Sequence, residues 1–382
     1  SSQTEVAFGE LSRSLNVDAV GVTSSSTDTS INEPLVLGSS PSASVPWDLL
    51  NSELLSSGIA RLPGSVDKLG RPVVEIPQNG GVWQDPGISA KEVARLLLCL
   101  CSMARKRSHD QAVVILVDAR KEAPPLTLPA ALGSLQKTFP GAIQVLLLVA
   151  EKEAASQVEK FLGLQVETVT SPKALTRHVD NSQLTQAFDG HFPYNHREWV
   201  QFFQKAHHFV GGLKKASELL RTTTQELEKE EDLETLQAVE RQVNRHQQLM
   251  QDVLRDAQLV SLQREGGATL ARLRKEATRL GFTPDVRRSF ESTLAVYNLV
   301  EEEVHTLVTK SNGCLEHLEF LKKIRELEEE FHQVTLWIDE EGEPELSMMG
   351  LAEGSLEKTE ESYRRFKDFF KEATGFSSPA QN

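Results

Sequence analysis

Hydrophobic positions change their spacing twice along the chain, and each change marks a different kind of structure. Between Trp47 and about Trp199, short apolar runs alternate with stretches of three-four spacing. RPVVEIP (Arg71–Pro77) predicts a strand, and Ser89-Ala-Lys-Glu92 is an S-x-x-E capping box that opens a helix through about Arg105. AVVILVD (Ala112–Asp118) predicts a buried strand, Leu126–Phe139 a helix, and Ala142–Val149 a second buried strand after the Pro140-Gly141 turn. A helix at about Glu151–Leu162, a strand at Gln165–Val169 and a helix launched by Ser171-Pro172 complete the series. Alternation of strand and helix with uncharged central strands predicts a mostly parallel sheet covered on both faces.

After Trp199 the strand signal stops. Trp199, Phe202, Ala206, Phe209, Leu213, Ala216, Leu220 and Leu227 form one helical stripe. Leu236, Val239, Val243, His246, Met250, Val253, Ala257 and Val260 form a second, which Leu270, Leu273, Ala277 and Leu280 resume past Gly266-Gly267. GFTPD (Gly281–Asp285) stops that helix and starts a third near Pro284, which carries apolar positions as far as Ile338 before Gly342 and Pro344. At more than 50 residues this helix is roughly 80 Å long. Long helices with a narrow apolar seam and short turns predict an extended three-helix bundle of the spectrin-repeat kind. A last helix with Leu356, Tyr363, Phe366, Phe370 and Ala373 then belongs to a partial second repeat. Before Trp47, Ser1 to about Ser44 is a Ser-rich tract (TSSSTDTS, GSSPSAS) without amphipathic period, which predicts disorder. The expected layout is therefore a disordered tract at 1–45, an α/β domain at 46–198, a bundle at 199–320, a partial bundle at 321–376 and a tail at 377–382.

Charge narrows the partners. The 382 residues carry 41 basic and 55 acidic side chains, a net charge of −14. Duplex nucleic acid needs many cations against phosphate, so the balance argues against that partner. No apolar run reaches the ~18 residues of a membrane span, the longest being Leu96–Cys101, Ala112–Val117 and Val145–Ala150. Three cysteines make no disulfide framework, and SSQTEVAFGE has neither a basic nor an apolar signal region, so a cytoplasmic protein is expected.

Chemistry is sparse. VVILVD delivers Asp118 to the carboxyl end of a strand, where many α/β enzymes bind ligand. No phosphate loop, G-x-S-x-G elbow or G-x-G-x-x-G turn accompanies it. Cys99 and Cys101 lie two apart on an apolar helix, which suits buried thiols rather than shared metal ligation. His191, His196, His207 and His208 cluster in sequence without a completing carboxylate or cysteine pattern. No cofactor and no metal site is expected. Arg105-Lys106-Arg107 follows a helix end, where cations suit the dipole, and could also meet anionic headgroups. Acidic runs such as Glu226–Glu234 and Glu326–Glu330 read as wet helix faces.

LPGSVDKLGRPVVEIP (Leu62–Pro77), VVILVDAR (Val113–Arg120), FPGAIQVLLLV (Phe139–Val149) and above all QLTQAFDGHFPYNHREW (Gln183–Trp199) resemble the CRAL-TRIO domain of Dbl-family Rho guanine-nucleotide exchange factors. In that family spectrin repeats follow directly. The resemblance covers about Trp47 to Phe376 and is nearest to the puratrophin and Solo subgroup, with the REGGATLARLR turn (Arg264–Arg274) among its details. Phe331 and Trp337-Ile338 in Leu327–Glu341 resemble the aromatic pattern of a spectrin first helix.

The resemblance implies a non-enzymatic regulatory and scaffolding region. Its partners would be the exchange module of the same protein and, through that module, a Rho-family GTPase. Cytoskeletal or junctional proteins and membrane phosphoinositides are further expected partners. A phospholipid-binding module is the alternative, with Arg105, Lys106, Arg107, Arg120 and Lys121 as headgroup candidates; an α/β hydrolase is a minor one. Tyr194, Trp199, Phe202 and Phe203 form a dense aromatic cluster expected to pack the first long helix against the α/β domain.

Overall fold

The computed structural model describes residues 47–78, 80–104, 112–151, 161, 163–229, 233–349 and 355–377. The expected disordered tract 1–45, the basic run 105–107 and all but the first residue and Phe161 of the helix expected at Glu151–Leu162 lie outside the described residues. Two compact units divide the chain, one within residues 9–217 and 260–302, the other within 218–259 and 303–382.

In the first unit, a short helix α1 (Ser52–Ser57) is capped by the Asn51 side chain, which accepts from the Glu53 and Leu54 amides. The strands follow as β1 (Val73–Ile76), β2 (Val113–Ala119), β3 (Ile143–Ala150) and β4 (Val166–Val169). Between them run α2 (Ala90–Ala104) and α3 (Thr127–Thr138). The capping box forms in both directions at the start of α2: Ser89 Oγ accepts from the Glu92 amide and Glu92 Oε2 from the Ser89 amide, both at 3.3 Å. All three strand pairs are parallel, with Val74 opposite Ile115, Leu116 opposite Leu147 and Leu147 opposite Glu167.

The strand order is β1-β2-β3-β4, the order of the sequence. Right-handed crossovers that always step the same way put their helices on one face, and α2 and α3 do pack on each other. The opposite face is closed by the segment after β4, whose Leu175, Val179, Leu184 and Phe188 meet Val114, Leu116, Val145 and Leu147. Each such side chain contributes on the order of 1.5–3 kcal/mol by leaving water. Both faces are thus covered, one by helices and the other by chain with only single helical turns.

Long helices make up the rest of the described chain: α4 (His196–Leu227), α5 (Leu236–Arg255), α6 (Ala257–Arg279) and α7 (Pro284–Trp337). The stripe from Trp199 to Leu227 is buried along its length, as its spacing predicts. The second stripe departs from expectation. The helix breaks at Asp256, whose ψ of 122° is extended and whose Oδ1 accepts from the Leu259 amide to cap α6. Gly266-Gly267, expected as a turn, is helical; a Cβ on Gly266 would stand 3.1 Å from the Tyr297 ring, so the glycine permits a close helix approach.

Gly342 and Pro344 do not stop the third long helix. Instead a five-residue π-helical turn (Ile338–Gly342) joins α7 to α8 (Glu343–Met349), absorbing a proline whose ring would clash in a regular ladder. The last helix, α9 (Leu356–Ser377), lays Phe369 on Trp337, with ring centroids 5.5 Å apart.

In the second unit Leu220, Val239, Met250, Val253, Val304 and Leu307 line the seam, and His246 and Ser311 are buried among them. Ser311 Oγ lies 3.2 Å from His246 Nε2, and burial lowers the imidazole pKa. Because the unfolded chain protonates this ring first, near pH 6.5, its share of stability is complete above that pH and is lost as pH falls toward the depressed folded value. His246→Leu should therefore flatten the fall of the thermal midpoint between pH 7.5 and 5, measured by circular dichroism on the whole chain. A variant as acid-sensitive as the parent would sink this assignment.

Candidate functional site at the carboxyl edge of the sheet

In parallel α/β sheets ligands settle outside the carboxyl ends of the strands, at the point where the strand order reverses and neighbouring crossovers part. Here the order of the four strands does not reverse. What comes to that edge is part of the segment Gln183–Trp199, whose Ala187 and Asp189 meet Arg120 just past the end of β2.

Asp118, the carboxylate expected at the end of β2, is held by its own neighbour: Arg120 donates through Nε at 3.0 Å and Nη2 at 2.8 Å. The same guanidinium donates to the Ala187 carbonyl at 2.8 Å, pairs through Nη1 with Asp189, and lies 5.9 Å over the Phe188 ring. Hydrogen bonding to Asp118 raises the proton affinity of Arg120. With two carboxylates on one cation, the group is an ion-paired clasp of net charge −1 in which all three guanidinium nitrogens donate. Asp189 reaches it from a left-handed backbone conformation, φ 60°, and Gly190 follows. A Cβ on Gly190 would stand 2.1 Å from the Leu184 carbonyl oxygen, so only glycine fits.

Two small cavities flank the clasp. One, of about 220 Å³, is lined by Arg120, Val149, Ser171, Leu175 and Phe188; the other, of about 190 Å³, by Trp83, Asp118, Pro124, Pro125 and Leu128. Both fall below the ~300–1,000 Å³ of ordinary small-molecule sites.

Deeper in the sheet lies a carboxylate that the sequence reading passed over. Glu75 on β1 is fully buried and accepts from the Thr185 amide at 3.1 Å and from the Thr185 hydroxyl. Burial raises its pKa, and the two Thr185 bonds hold it down. The signal was present: one acidic residue inside the apolar run RPVVEIP. Gln183 works alongside, its Oε1 accepting from the Val66 amide at 3.1 Å.

At the other end of the segment His196, oriented by Tyr194, ties the start of α4 to α1, and Trp199 ties it to α7. The Leu55 carbonyl can only accept, so His196 Nε2 donates to it at 2.7 Å and Nδ1 accepts from the Tyr194 hydroxyl at 2.7 Å. Burial lowers the His196 pKa, as suits a neutral ring. Trp199, 1% exposed, donates through Nε1 to Asp285 at 2.7 Å in the first turn of α7. Burial raises the Asp285 pKa, opposed by that bond. Phe203 packs on Trp199 with the rings tilted by 44° and their centroids 4.5 Å apart, and meets Phe202 edge-on at 5.2 Å. Two more contacts fasten α7 to the α/β core: Gly64 packs on Thr283, and Arg288 donates to the Met103 carbonyl at 3.0 Å near the end of α2.

Among the headgroup candidates, Arg105, Lys106 and Arg107 lie outside the described residues, Arg120 is engaged as above, and Lys121 is exposed beside it. Cys99 and Cys101 are buried, and burial pushes the Cys99 thiol up to about 11, which disfavours the reactive thiolate. Among the described residues, no three His, Cys, Asp or Glu side chains are placed to hold a metal ion, and no helix is long and apolar enough to cross a membrane.

The chain is 42% identical over 324 residues to human uncharacterized protein KIAA1755, covering 85% of this chain and 27% of that protein. It is 39% identical over 285 residues to human pleckstrin homology domain-containing family G member 4B, covering 74% and 17%. To human puratrophin-1 it is 31% identical over 348 residues, covering 85% and 28%. It thus spans little more than a quarter of these relatives at most. No family model matches the chain.

Proposed function

We propose that this chain is a non-catalytic regulatory and scaffolding region of a Rho guanine-nucleotide exchange factor. On this reading it is built from a CRAL-TRIO-like α/β domain and spectrin-like helices, and works by docking on the exchange module of its own protein. The observation that carries the reading is the internally paired clasp Asp118–Arg120–Asp189, whose one cation is held by two carboxylates. It lies at the edge where an α/β enzyme would present its catalytic groups, and its Asp189 comes from the segment that also fastens α4. A site whose charged groups satisfy one another is built to hold a shape. The likeness to puratrophin-1, after which the resembling subgroup is named, supports the same reading.

The test is to titrate the purified chain against the exchange module of its own full-length protein while following release of a fluorescent nucleotide from a Rho-family GTPase. Dose-dependent slowing is expected; exchange unchanged at tens of micromolar would remove the autoinhibitory part of the proposal. The phospholipid reading has less support, since cavities of about 190 and 220 Å³ are small for a lipid and Arg120 is already paired. Native mass spectrometry decides it: a phospholipid retained one to one by the purified chain would reinstate that reading.

A further inference from the structure

Among the described residues, helix α9 carries more apolar surface than its neighbours cover. Phe369 turns onto Trp337, but Tyr363, Phe366 and Phe370 are 67%, 46% and 59% exposed. At 100° per residue these three rings fall within roughly 60° of one another, and exposed Leu356 extends the stripe. Such a contiguous aromatic strip marks a contact surface. The spacing is that of a heptad: Leu356, Tyr363 and Phe370 at its first position, Thr359, Phe366 and Ala373 at its fourth.

Charge says what covers the strip. Residues 356–362 hold three acidic side chains and one basic, while 363–377 hold four basic and two acidic. Along the flank of the strip away from Trp337, Glu360 and Lys367 occupy the same heptad position one repeat apart. In a parallel copy the fifth heptad position faces the seventh, so Glu360 and Lys367 would meet Ser355 and Ser362 and find no opposite charge. An antiparallel copy, related by a two-fold axis, sets each Glu360 against the Lys367 of the other.

We propose that α9 is a self-association surface on which two copies of this chain pair antiparallel through Tyr363, Phe366 and Phe370, with two symmetric Glu360–Lys367 pairs fixing the register. The proposal rests on this helix alone and does not depend on the regulatory reading. A helix of 22 residues is about 33 Å long, which makes a small interface beside the usual ~1,600 Å², so a micromolar dimer is expected.

Sedimentation velocity of the 382-residue chain, from about 1 to 200 µM, tests it. The parent should pass from monomer to dimer. Phe366→Glu with Phe370→Glu should remain monomeric at unchanged helicity. Glu360→Lys and Lys367→Glu should each weaken pairing about tenfold. An equimolar mixture of those two variants should regain it, because every like pair then becomes an opposite one. A chain that stays monomeric throughout overturns the proposal and leaves the strip to a helix of another protein. So would a dimer indifferent to the double phenylalanine change, or charge variants that fail to rescue each other.

Discussion

Trp199→Ala will lower the stability of the sheet-containing unit by about 3–5 kcal/mol, the range for emptying a buried aromatic site. The indole is 1% exposed, packs at a tilt on Phe203 and donates to a carboxylate that is itself buried. Removing it leaves both a cavity and an Asp285 oxygen without that donor, and the two costs add. Trp199→Phe keeps a six-membered ring in the site but loses the N–H with the rest of the pyrrole ring, so it should cost less than the alanine, about 1–3 kcal/mol. Urea unfolding followed by near-ultraviolet circular dichroism measures both. The second unit serves as an internal control, because its seam contains neither residue. A midpoint that does not move in Trp199→Ala would show that docking of α4 adds nothing to the sheet.

A glycine gives the second large effect. Gly190→Ala would place a methyl 2.1 Å from the Leu184 carbonyl oxygen and 2.5 Å from its carbon, both backbone atoms. That oxygen already accepts from the Phe192 amide at 2.8 Å, so the loop cannot yield without losing the bond that closes it. Overpacking of this kind costs roughly 1–3 kcal/mol or more, and here the upper end is expected, with Asp189 drawn away from Arg120. Gly133→Ala is the contrast. It lies inside α3 with nothing within 4 Å of a new Cβ, so it should stabilise by roughly 0.5–1 kcal/mol. Equal effects from the two alanines would refute the steric account of Gly190.

These glycines show how unevenly the fold was written in the chain. Period and capping are local, so the four strands, the Ser89–Glu92 box and the long helix from Pro284 could be read from neighbouring residues alone. The halt at Asp256 could not: no glycine or proline marks it, and it depends on a side chain closing the next helix rather than on lost apolar period. Gly266-Gly267 misled for the opposite reason, since a glycine pair serves equally for a turn or for close approach to Tyr297. At the candidate site the segment Gln183–Trp199 stood out as a block, while the task of each residue stayed hidden. Glu75 and Asp285 become partners of Thr185 and Trp199 only through contacts between residues 110 and 86 apart in sequence, and Arg120, two residues from Asp118, meets Asp189 across 69.

The outer edge of β1 carries one more consequence. Arg61 and Glu75 exchange backbone hydrogen bonds at 2.8 and 2.9 Å, and Val66 bridges Pro72, both antiparallel, so a return of the chain hems that side of the sheet. Sheet edges left bare are where foreign strands add and aggregates begin. With β1 hemmed, growth is left to β4, which offers only the four residues Val166–Val169 with Glu167 among them. A short charged rim is a poor template, so this highly apolar parallel sheet is guarded against intermolecular strand addition by a few residues of its own leader loop.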